Sequence, residues 1–113
     1  MSDRPKRIGH MIRLRPEKRE EYLKLHAAAW PEVLRAIEQA NIRNYSIFLR
    51  EPENLMFGTF DYHGTDFAGD MARMAQDPVV QRWWTLTDAC QKPLETRKAG
   101  DWWADMTEVF HHP

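Results

Sequence analysis

The amino-acid sequence predicts an α+β fold of the ferredoxin-like, split βαβ type, with a four-stranded antiparallel sheet and helices on one face. Stretches that alternate apolar and polar residues, as strands do, are interspersed with stretches whose apolar residues recur at helical spacing. Their order along the chain is strand, helix, strand, strand, helix, strand, which is the order of this topology. The chain has 113 residues, so we expect one domain over residues 1–113, with residues 1–6 flexible.

The first half of the chain predicts a strand, a helix in two pieces and a second strand. Residues 7–15 place alternate apolar side chains on one face, which indicates a strand. Pro16 suits the first helical position, so a helix is expected over about 17–29. Because Pro31 lacks the amide hydrogen that would continue this helix, a second piece should begin there. Residues 42–50 alternate again and predict a strand.

The second half predicts an antiparallel partner for that strand, followed by helices. A short turn of Glu, Pro and Asn residues joins it to a further strand over residues 55–62, and so short a connection favours a hairpin. A helix capped by Thr65 or Asp66 is expected to run to about Gln76. Another helix should begin at Pro78, which suits the first helical position.

The end of the chain completes the predicted sheet. Residues 91–100 are expected to form a loop, and residues 103–111 the last strand. Both faces of the sheet carry apolar residues, for example Met11 on one face and Ile12 on the other. Helices cover only one face, so the second face needs a cover, and a twofold copy of the chain would supply it. We therefore expect a homodimer.

The charge balance and the cysteine count exclude several classes of function. The chain has 16 basic and 17 acidic residues, a net charge of −1 and no basic stripe, which argues against a nucleic-acid partner. Its one cysteine, Cys90, cannot form an internal disulfide, which suits a reducing cytoplasm. No signal peptide or membrane span stands out, so we expect a cytoplasmic protein without a membrane partner.

The sequence lacks the motifs of metal and nucleotide sites. The five histidines include no pair four residues apart and no HExxH pattern, and the glycines form neither a Walker loop nor GxGxxG. Cys90 lies near Asp88, but no sequence-local base accompanies it, so a nucleophilic cysteine is not indicated. We expect no metal and no cofactor.

The strongest candidate for chemistry is the helical segment that carries Tyr22 and His26. These residues are four apart and share one helix face, and Pro31 disturbs the helix after them. An imidazole with a pKa near neutrality can give or take one proton at physiological pH. A histidine beside aromatic residues is more often packed or solvated than catalytic, and that interpretation stays open at this point.

Three further aromatic residues complete a candidate binding set with this pair. Tyr45 lies on the second strand, near which the first helix packs in this topology, and Trp83 and Trp84 lie on the last helix. Tyr and Trp each offer an apolar face and one hydrogen bond, which suits a small neutral polyol such as a sugar. Core packing is the alternative, and we expect Trp102 and Trp103 mainly to pack or to lie near an interface.

Four motifs in a fixed order resemble the L-rhamnose mutarotase family. The resemblance runs from about Arg7 to His112, nearly the whole chain. Each motif alone is weak, but the ordered set is specific. The motifs are Tyr-x3-His-x3-Trp-Pro-Glu from Tyr22, Asn-Tyr from Asn44, Arg-Trp-Trp from Arg82 and Glu-Val-Phe from Glu108. Residues 61–76 and 85–103 look closer to a different branch of the family, which leaves L-fucose open as the sugar.

The resemblance implies a dimeric ferredoxin-like α/β barrel without a metal, which interconverts the anomers of a 6-deoxy sugar. It implies that His26 is the proton donor and that the sugar is lined by Tyr22, Tyr45, Trp83 and Trp84. A protonated His26 would give its proton to the ring oxygen while the anomeric hydroxyl loses one. The ring opens to the aldehyde, the C1–C2 bond rotates, and the ring closes on the other carbonyl face. The base would be an ordered water or a tyrosine hydroxyl.

Other functions fit the same architecture. A dimeric α/β-barrel monooxygenase or lactone isomerase shares it, and fold analogy alone does not separate these activities. A non-catalytic sugar-binding module would use the same aromatic residues. On the strength of the resemblance, we predict an L-rhamnose mutarotase (L-rhamnose 1-epimerase). This is an isomerase whose partners are a monosaccharide and a second copy of the chain. An L-fucose mutarotase of the same family is the alternative.

Overall fold

The computed structural model describes residues 6–113, and its elements follow the predicted order, so the ferredoxin-like α+β fold is confirmed. Residues 1–6 were expected to be flexible. Residues 1–5 lie outside the described residues, and Lys6 belongs to the first strand. The elements are β1 (Lys6–Leu14), a 3-10 turn (Pro16–Lys18), α1 (Arg19–Ala27), α2 (Pro31–Gln39), β2 (Ile42–Arg50), β3 (Leu55–Tyr62), α3 (Phe67–Ala75), α4 (Pro78–Asp88), β4 (Gln91–Lys92) and β5 (Ala104–Met106).

The sheet is antiparallel, with the order β2-β3-β1 and with both β4 and β5 on the other side of β1. β4 pairs with the end of β1 at Arg13 and Leu14, whereas β5 pairs with its middle, from Gly9 to Met11. The two short strands therefore share the fourth position of the sheet. Residues 93–103, between the two strands, leave the sheet and return to it.

Two boundaries predicted for this edge are wrong. Residues 91–100 are not wholly loop, because Gln91–Lys92 form β4, and the last strand is limited to Ala104–Met106 instead of 103–111. Pro93 explains the interruption, since proline has no amide hydrogen to donate to a strand ladder. The alternation of residues 103–111 predicted a longer last strand than the pairing with β1 supports.

Prolines and capping side chains fix the ends of the helices. Pro31 opens α2 and follows Trp30, which is extended (φ −66°, ψ 132°), so the predicted two-piece helix is confirmed. Asp66 and Asp77 cap α3 and α4 by accepting hydrogen bonds from amides of the first turn, at 3.1 and 2.9 Å. No helix between residues 6 and 113 is both long and apolar enough to cross a membrane.

The two faces of the sheet have different surroundings. The inner face, which carries Ile12 and Met56, packs against α1 in a core that also contains Tyr22 and Cys90. The outer face carries the stacked rings of Phe48 and Phe57 together with Met11 and Met106. Phe48 is 59% exposed and Met106 is 45% exposed. Exposed apolar side chains grouped on one face are typical of interaction surfaces.

Candidate active site

Four aromatic side chains meet where α1, α2 and α4 come together, and we call them the helix-side cluster: Tyr22, His26, Trp30 and Trp83. The ring centroids lie 4.2 Å apart for Tyr22 and His26, 5.3 Å for His26 and Trp83, and 5.2 Å for Trp30 and Trp83. The first contact follows from the four-residue helical spacing. The extended backbone at Trp30 brings its indole against α4 instead of continuing along α1.

The imidazole of His26 has a defined hydrogen-bonding state. Its Nδ1 lies 2.9 Å from the backbone carbonyl oxygen of Tyr22, and because a carbonyl only accepts, Nδ1 must carry the hydrogen and donate. In the neutral ring Nε2 then carries the lone pair. Burial lowers the pKa of His26, and the bond to the carbonyl opposes this shift without reversing it. At neutral pH the residue is therefore a neutral base at Nε2.

The Tyr22 hydroxyl lies at the end of a chain of two hydrogen bonds. The Gln91 amide nitrogen donates to the Tyr22 hydroxyl oxygen at 3.1 Å, and the Trp102 indole nitrogen donates to the Gln91 amide oxygen at 2.7 Å. Tyr22 and Gln91 are both buried. Burial raises the pKa of Tyr22 well above its ordinary value, so its hydroxyl keeps its proton throughout the physiological range.

A second group lies on the inner face of the sheet, and we call it the sheet-side cluster: His10, Tyr45, Phe60 and Trp103. Trp103 stacks on His10 with ring centroids 4.2 Å apart, and Tyr45 lies 6.4 Å from His10 and 5.3 Å from Phe60. Burial raises the pKa of Tyr45 to about 12, although 38% of the residue is exposed. The two observations agree if the hydroxyl end points inward and the ring edge faces solvent.

A β-bulge aims Tyr45 at this face. Arg43 pairs with Asp61 and Ser46 with Thr59, so β2 has one more residue than β3 between these pairs. The bulge includes Asn44, whose φ of 54° lies in the left-handed region that Asn tolerates better than most residues. The Asn44 side chain also donates to Asp61 at 3.1 Å. The Asn-Tyr motif thus has a structural reason, because the first residue makes the turn that orients the second.

The His10 imidazole lies within the sheet-side cluster without a protein partner for one nitrogen. Its Nε2 is buried and makes no hydrogen bond within residues 6–113. Burial lowers the pKa of His10 to about 4. Gly58, opposite His10 on β3, makes room for the ring, since a Cβ there would lie 2.6 Å from Nε2.

The predicted site residues are distributed over these two clusters. Tyr22, His26 and Trp83 come together, while Tyr45 belongs to the sheet-side cluster. Trp84 is turned away from Trp83 by about 100°, the rotation between neighbouring helical residues, and it is 36% exposed. A groove of about 470 Å³ beside α1 reaches the helix-side cluster at Trp30, but His26 does not line it.

Sequence reasoning missed two polar side chains of the site, Gln91 and His10. Alternation does place His10 on the same face as Ile12, but nothing in the sequence indicates its stacking on Trp103. Nothing in the sequence indicated a role for Gln91, because residues 91–100 were predicted to form a loop and a loop prediction does not say where a side chain points. Within residues 6–113 there is no group of three or more His, Cys, Asp and Glu side chains arranged to hold a metal ion.

Comparison with known proteins finds one family across almost the whole chain. A family model described as L-rhamnose mutarotase matches residues 7–112. The chain is 31% identical over 112 residues to an L-rhamnose mutarotase of Oceanobacillus iheyensis, an alignment that covers 94% of this chain and 97% of that protein. It is 38% identical over 105 residues to an L-rhamnose mutarotase of Sinorhizobium fredii, covering 88% of this chain and 91% of that protein.

Comparison with solved structures supports the same fold. The crystal structure of an L-rhamnose mutarotase from Formosa agariphila superposes with a TM-score of 0.73 at 20% identity, covering 96% of this chain and 99% of the other. A structure described as a putative antibiotic biosynthesis monooxygenase from Nitrosomonas europaea superposes with a TM-score of 0.52 at 10% identity, covering 76% of this chain and 86% of the other. At these identities the superpositions establish the fold alone.

Proposed function

The chain belongs to the L-rhamnose mutarotase family, and we propose that it interconverts the α and β anomers of L-rhamnose, with His26 as the residue that carries the proton. The observation that carries the proposal is the state of the His26 ring. Its Nδ1 is committed to the Tyr22 carbonyl, so Nε2 is left for substrate beside the rings of Tyr22 and Trp83. Such a site suits one proton transfer on a sugar with an apolar face.

The first step takes a proton from the sugar. Because the pKa of His26 is lowered, the resting ring is neutral, and Nε2 accepts the proton of the anomeric hydroxyl. The electron pair left on O1 forms the C1=O1 double bond, the C1–O5 bond breaks, and its electron pair stays on the ring oxygen O5. His26 is now protonated at both nitrogens.

The second step returns the proton. His26 acts as the proton donor at this point, giving the Nε2 proton to O5, so that the open-chain aldehyde and the neutral imidazole result. Rotation about C1–C2 presents the other carbonyl face, and the reverse steps close the ring to the opposite anomer. A positioned acid or base contributes on the order of 10²–10⁴-fold to such a transfer. The proton that His26 donates is therefore one that it has just received.

The aromatic residues bind the sugar in this proposal. The Trp83 indole and the Tyr22 ring border His26 and offer apolar surface to the deoxy side of the sugar. Burial raises the pKa of Tyr45, so its hydroxyl stays protonated and supplies a polar contact from the sheet. Trp84 lines the more exposed edge of the site.

We also propose that the enzyme works as a cytoplasmic homodimer. Within residues 6–113, the hydrophobic clusters between helices and sheet lie on the inner face. The outer face, with Phe48 and Met106, is left exposed, and a twofold copy would bury it. Val109 and Phe110 extend beyond β5 with 92% and 80% of their surface exposed, which adds to the apolar area available to that copy. Cys90 is a buried free thiol, as a reducing compartment allows.

Anomer exchange measured by NMR tests the proposal directly. The protein is added in trace amount to equilibrated L-rhamnose and, separately, to L-fucose, and magnetisation exchange between the α and β signals is compared with the spontaneous rate. We expect faster exchange with L-rhamnose; faster exchange with L-fucose instead would assign the alternative sugar. Shifted signals without exchange would identify a binding module, and no response to either sugar would favour another activity of this fold, such as a monooxygenase.

A further inference from the structure

We propose that Gln91 and Trp102 are positioning residues that make the Tyr22 hydroxyl a hydrogen-bond donor to the sugar. The inference rests on the proposed mutarotase function, because it specifies how one residue of that site meets its substrate. It is carried by two consecutive hydrogen bonds, from Trp102 to Gln91 at 2.7 Å and from Gln91 to Tyr22 at 3.1 Å.

The direction of both bonds follows from the chemistry of the groups. An indole nitrogen can only donate, so the Gln91 atom facing Trp102 must be the amide oxygen. The amide nitrogen then faces Tyr22, and because that nitrogen has only hydrogens to offer, the Tyr22 oxygen accepts. The Tyr22 proton is consequently directed away from Gln91. A reversed amide would place two donors face to face at Trp102.

Burial strengthens the effect of these two bonds on the direction of the Tyr22 proton. Gln91 is only 3% exposed and Tyr22 only 4%, so water has little access to compete for either side chain. Burial also raises the pKa of Tyr22, which keeps the phenol proton in place. A buried hydroxyl whose oxygen already accepts one bond gains most from a partner that accepts its proton. A sugar oxygen within reach of the helix-side cluster is such a partner.

The fold supplies a reason for the interrupted fourth strand. Gln91 lies in β4, where it is paired with Leu14, and Trp102 lies near the end of the segment that leaves the sheet. Residues 93–103 return the chain so that the indole of Trp102 reaches the side chain of Gln91, eleven residues earlier in the sequence. The course of residues 93–103 thus fixes the orientation of the Gln91 side-chain amide.

The substitution Gln91→Glu tests the direction of the chain of bonds. A protonated carboxyl can still accept from Trp102 and donate to Tyr22, and so it preserves the wild-type arrangement. A carboxylate can only accept, and so it draws the Tyr22 proton toward itself and away from the sugar. Gln91→Glu should therefore act like the wild type at low pH and bind sugar poorly once the introduced carboxyl ionises. Gln39→Glu, on the exposed end of α2, is the matched control.

The measured quantities are KM and kcat for anomer exchange as functions of pH. For Gln91→Glu we expect KM to rise by about tenfold as the pH increases through the pKa of the new carboxyl, the effect of losing roughly one buried hydrogen bond. The change in kcat should be smaller. The wild type and Gln39→Glu should show no such step in KM, and a Gln91→Glu profile parallel to theirs would overturn the proposal.

The Trp102 indole gives a second readout that does not depend on catalysis. In Gln91→Glu its Nε1–H proton resonance should titrate with the same midpoint as KM, whereas in the wild type it should not titrate. If Gln91→Glu does not fold, Trp102→Phe takes its place, because it removes the donor that orients the amide at a half-exposed position. It should raise KM severalfold with little change in kcat, and an unchanged KM would contradict the proposal.

The experiments distinguish failure of the orienting role of Gln91 from failure of the proposed mutarotase function. If the wild type does not exchange anomers of either sugar, the proposed function fails, and the indole titration still reports whether Gln91 accepts from Trp102. If the wild type exchanges anomers and Gln91→Glu shows no pH-dependent KM, the function stands and the orienting role of Gln91 is wrong.

Discussion

The inner and outer faces of the sheet both carry aromatic residues, but the inner side combines a cluster of rings with oriented polar atoms, whereas the exposed aromatic pair of the outer face has none. On the inner side, the Tyr22 hydroxyl accepts a hydrogen bond from Gln91, and the His26 Nδ1 donates one to a backbone carbonyl. On the outer side, the stacked pair of Phe48 and Phe57 has none, and Phe48 is largely exposed.

This difference separates two uses of aromatic surface. Apolar rings exposed to water favour association with another apolar surface, which needs shape but few directed bonds. Rings that carry polar atoms in a sheltered site can hold a polar ligand in one orientation, because each unsatisfied atom prefers a specific partner. The chemistry that we propose belongs to the inner side and the proposed assembly to the outer side, and substitutions on each side should separate the two.

The largest effect should come from His26→Ala on the inner side. Removing the residue that takes and returns the proton should lower the anomer exchange rate by at least about tenfold, and by as much as about 10⁴-fold. Folding and dimerisation should survive, since alanine is well tolerated in a helix. His63→Ala, at an exposed position after β3, is the control and should keep the wild-type rate in the same NMR assay.

On the outer side, Phe48→Asp should weaken the dimer. A charge placed on the apolar outer face has to be desolvated when a second copy covers it, so the dimer dissociation constant should rise by about tenfold or more. Leu34→Asp, at an apolar position on α2 that is 52% exposed, should leave the dimer intact. Sedimentation at micromolar concentration gives the mass, and a wild type with the mass of one chain would contradict the homodimer.

Two glycines of β1 and β3 allow the packing of the two faces to be compared. An alanine Cβ at Gly58 would lie 2.6 Å from the His10 ring on the inner face, whereas at Gly9 it would lie 3.4 Å from Phe57 on the outer face. Gly58→Ala should lower the free energy of unfolding by about 1–3 kcal/mol, and Gly9→Ala should have a much smaller effect. Chemical denaturation measures both values, and equal losses would show that the inner face is not the tighter one.

A double substitution identifies the cause of the Gly58 effect. If the clash with the His10 ring is responsible, His10→Ala combined with Gly58→Ala should lose less stability than the two single substitutions added together. Strict additivity would mean that Gly58 acts through its backbone and not through the space it leaves for the imidazole.

The smallest expected effect distinguishes the two neighbours Trp83 and Trp84. Trp83 contacts His26, so Trp83→Phe should reduce the change in tryptophan fluorescence that L-rhamnose or L-fucose causes. Trp84 is turned toward solvent, and Trp84→Phe should reduce it less. If neither substitution alters the response, the assignment of this pair to the sugar is wrong.

The sequence was a good guide where local rules decide the structure. Alternation predicted β2 and β3 to within a residue, and Pro31 predicted the break between α1 and α2 because proline acts on its own backbone. The four-residue spacing of Tyr22 and His26 likewise predicted a contact that the structure contains. These features depend on neighbours in the chain and not on the path of distant segments.

The sequence was a poor guide where distant segments meet. The contact of Gln91 with Trp102 depends on the course of residues 93–103, which no periodicity specifies. The last strand was predicted too long for the same reason, since alternation continues after Met106 while pairing with β1 does not. His26 was expected to be protonated at rest, and only its buried setting indicates the neutral form.

The pH dependence of anomer exchange tests the central claim, that a neutral His26 on the inner side starts the reaction. His26 has a pKa below its ordinary value of 6.5, so its neutral fraction is high at pH 7 and falls as the pH drops through that lowered pKa. Wild-type exchange of L-rhamnose, corrected for the spontaneous rate, should therefore be level near neutrality and decline in acid. The residual exchange of His26→Ala should lack this decline. A wild-type rate that rises as the pH falls below 7 would contradict the account, because it would mean that a protonated His26 is the resting form that reacts.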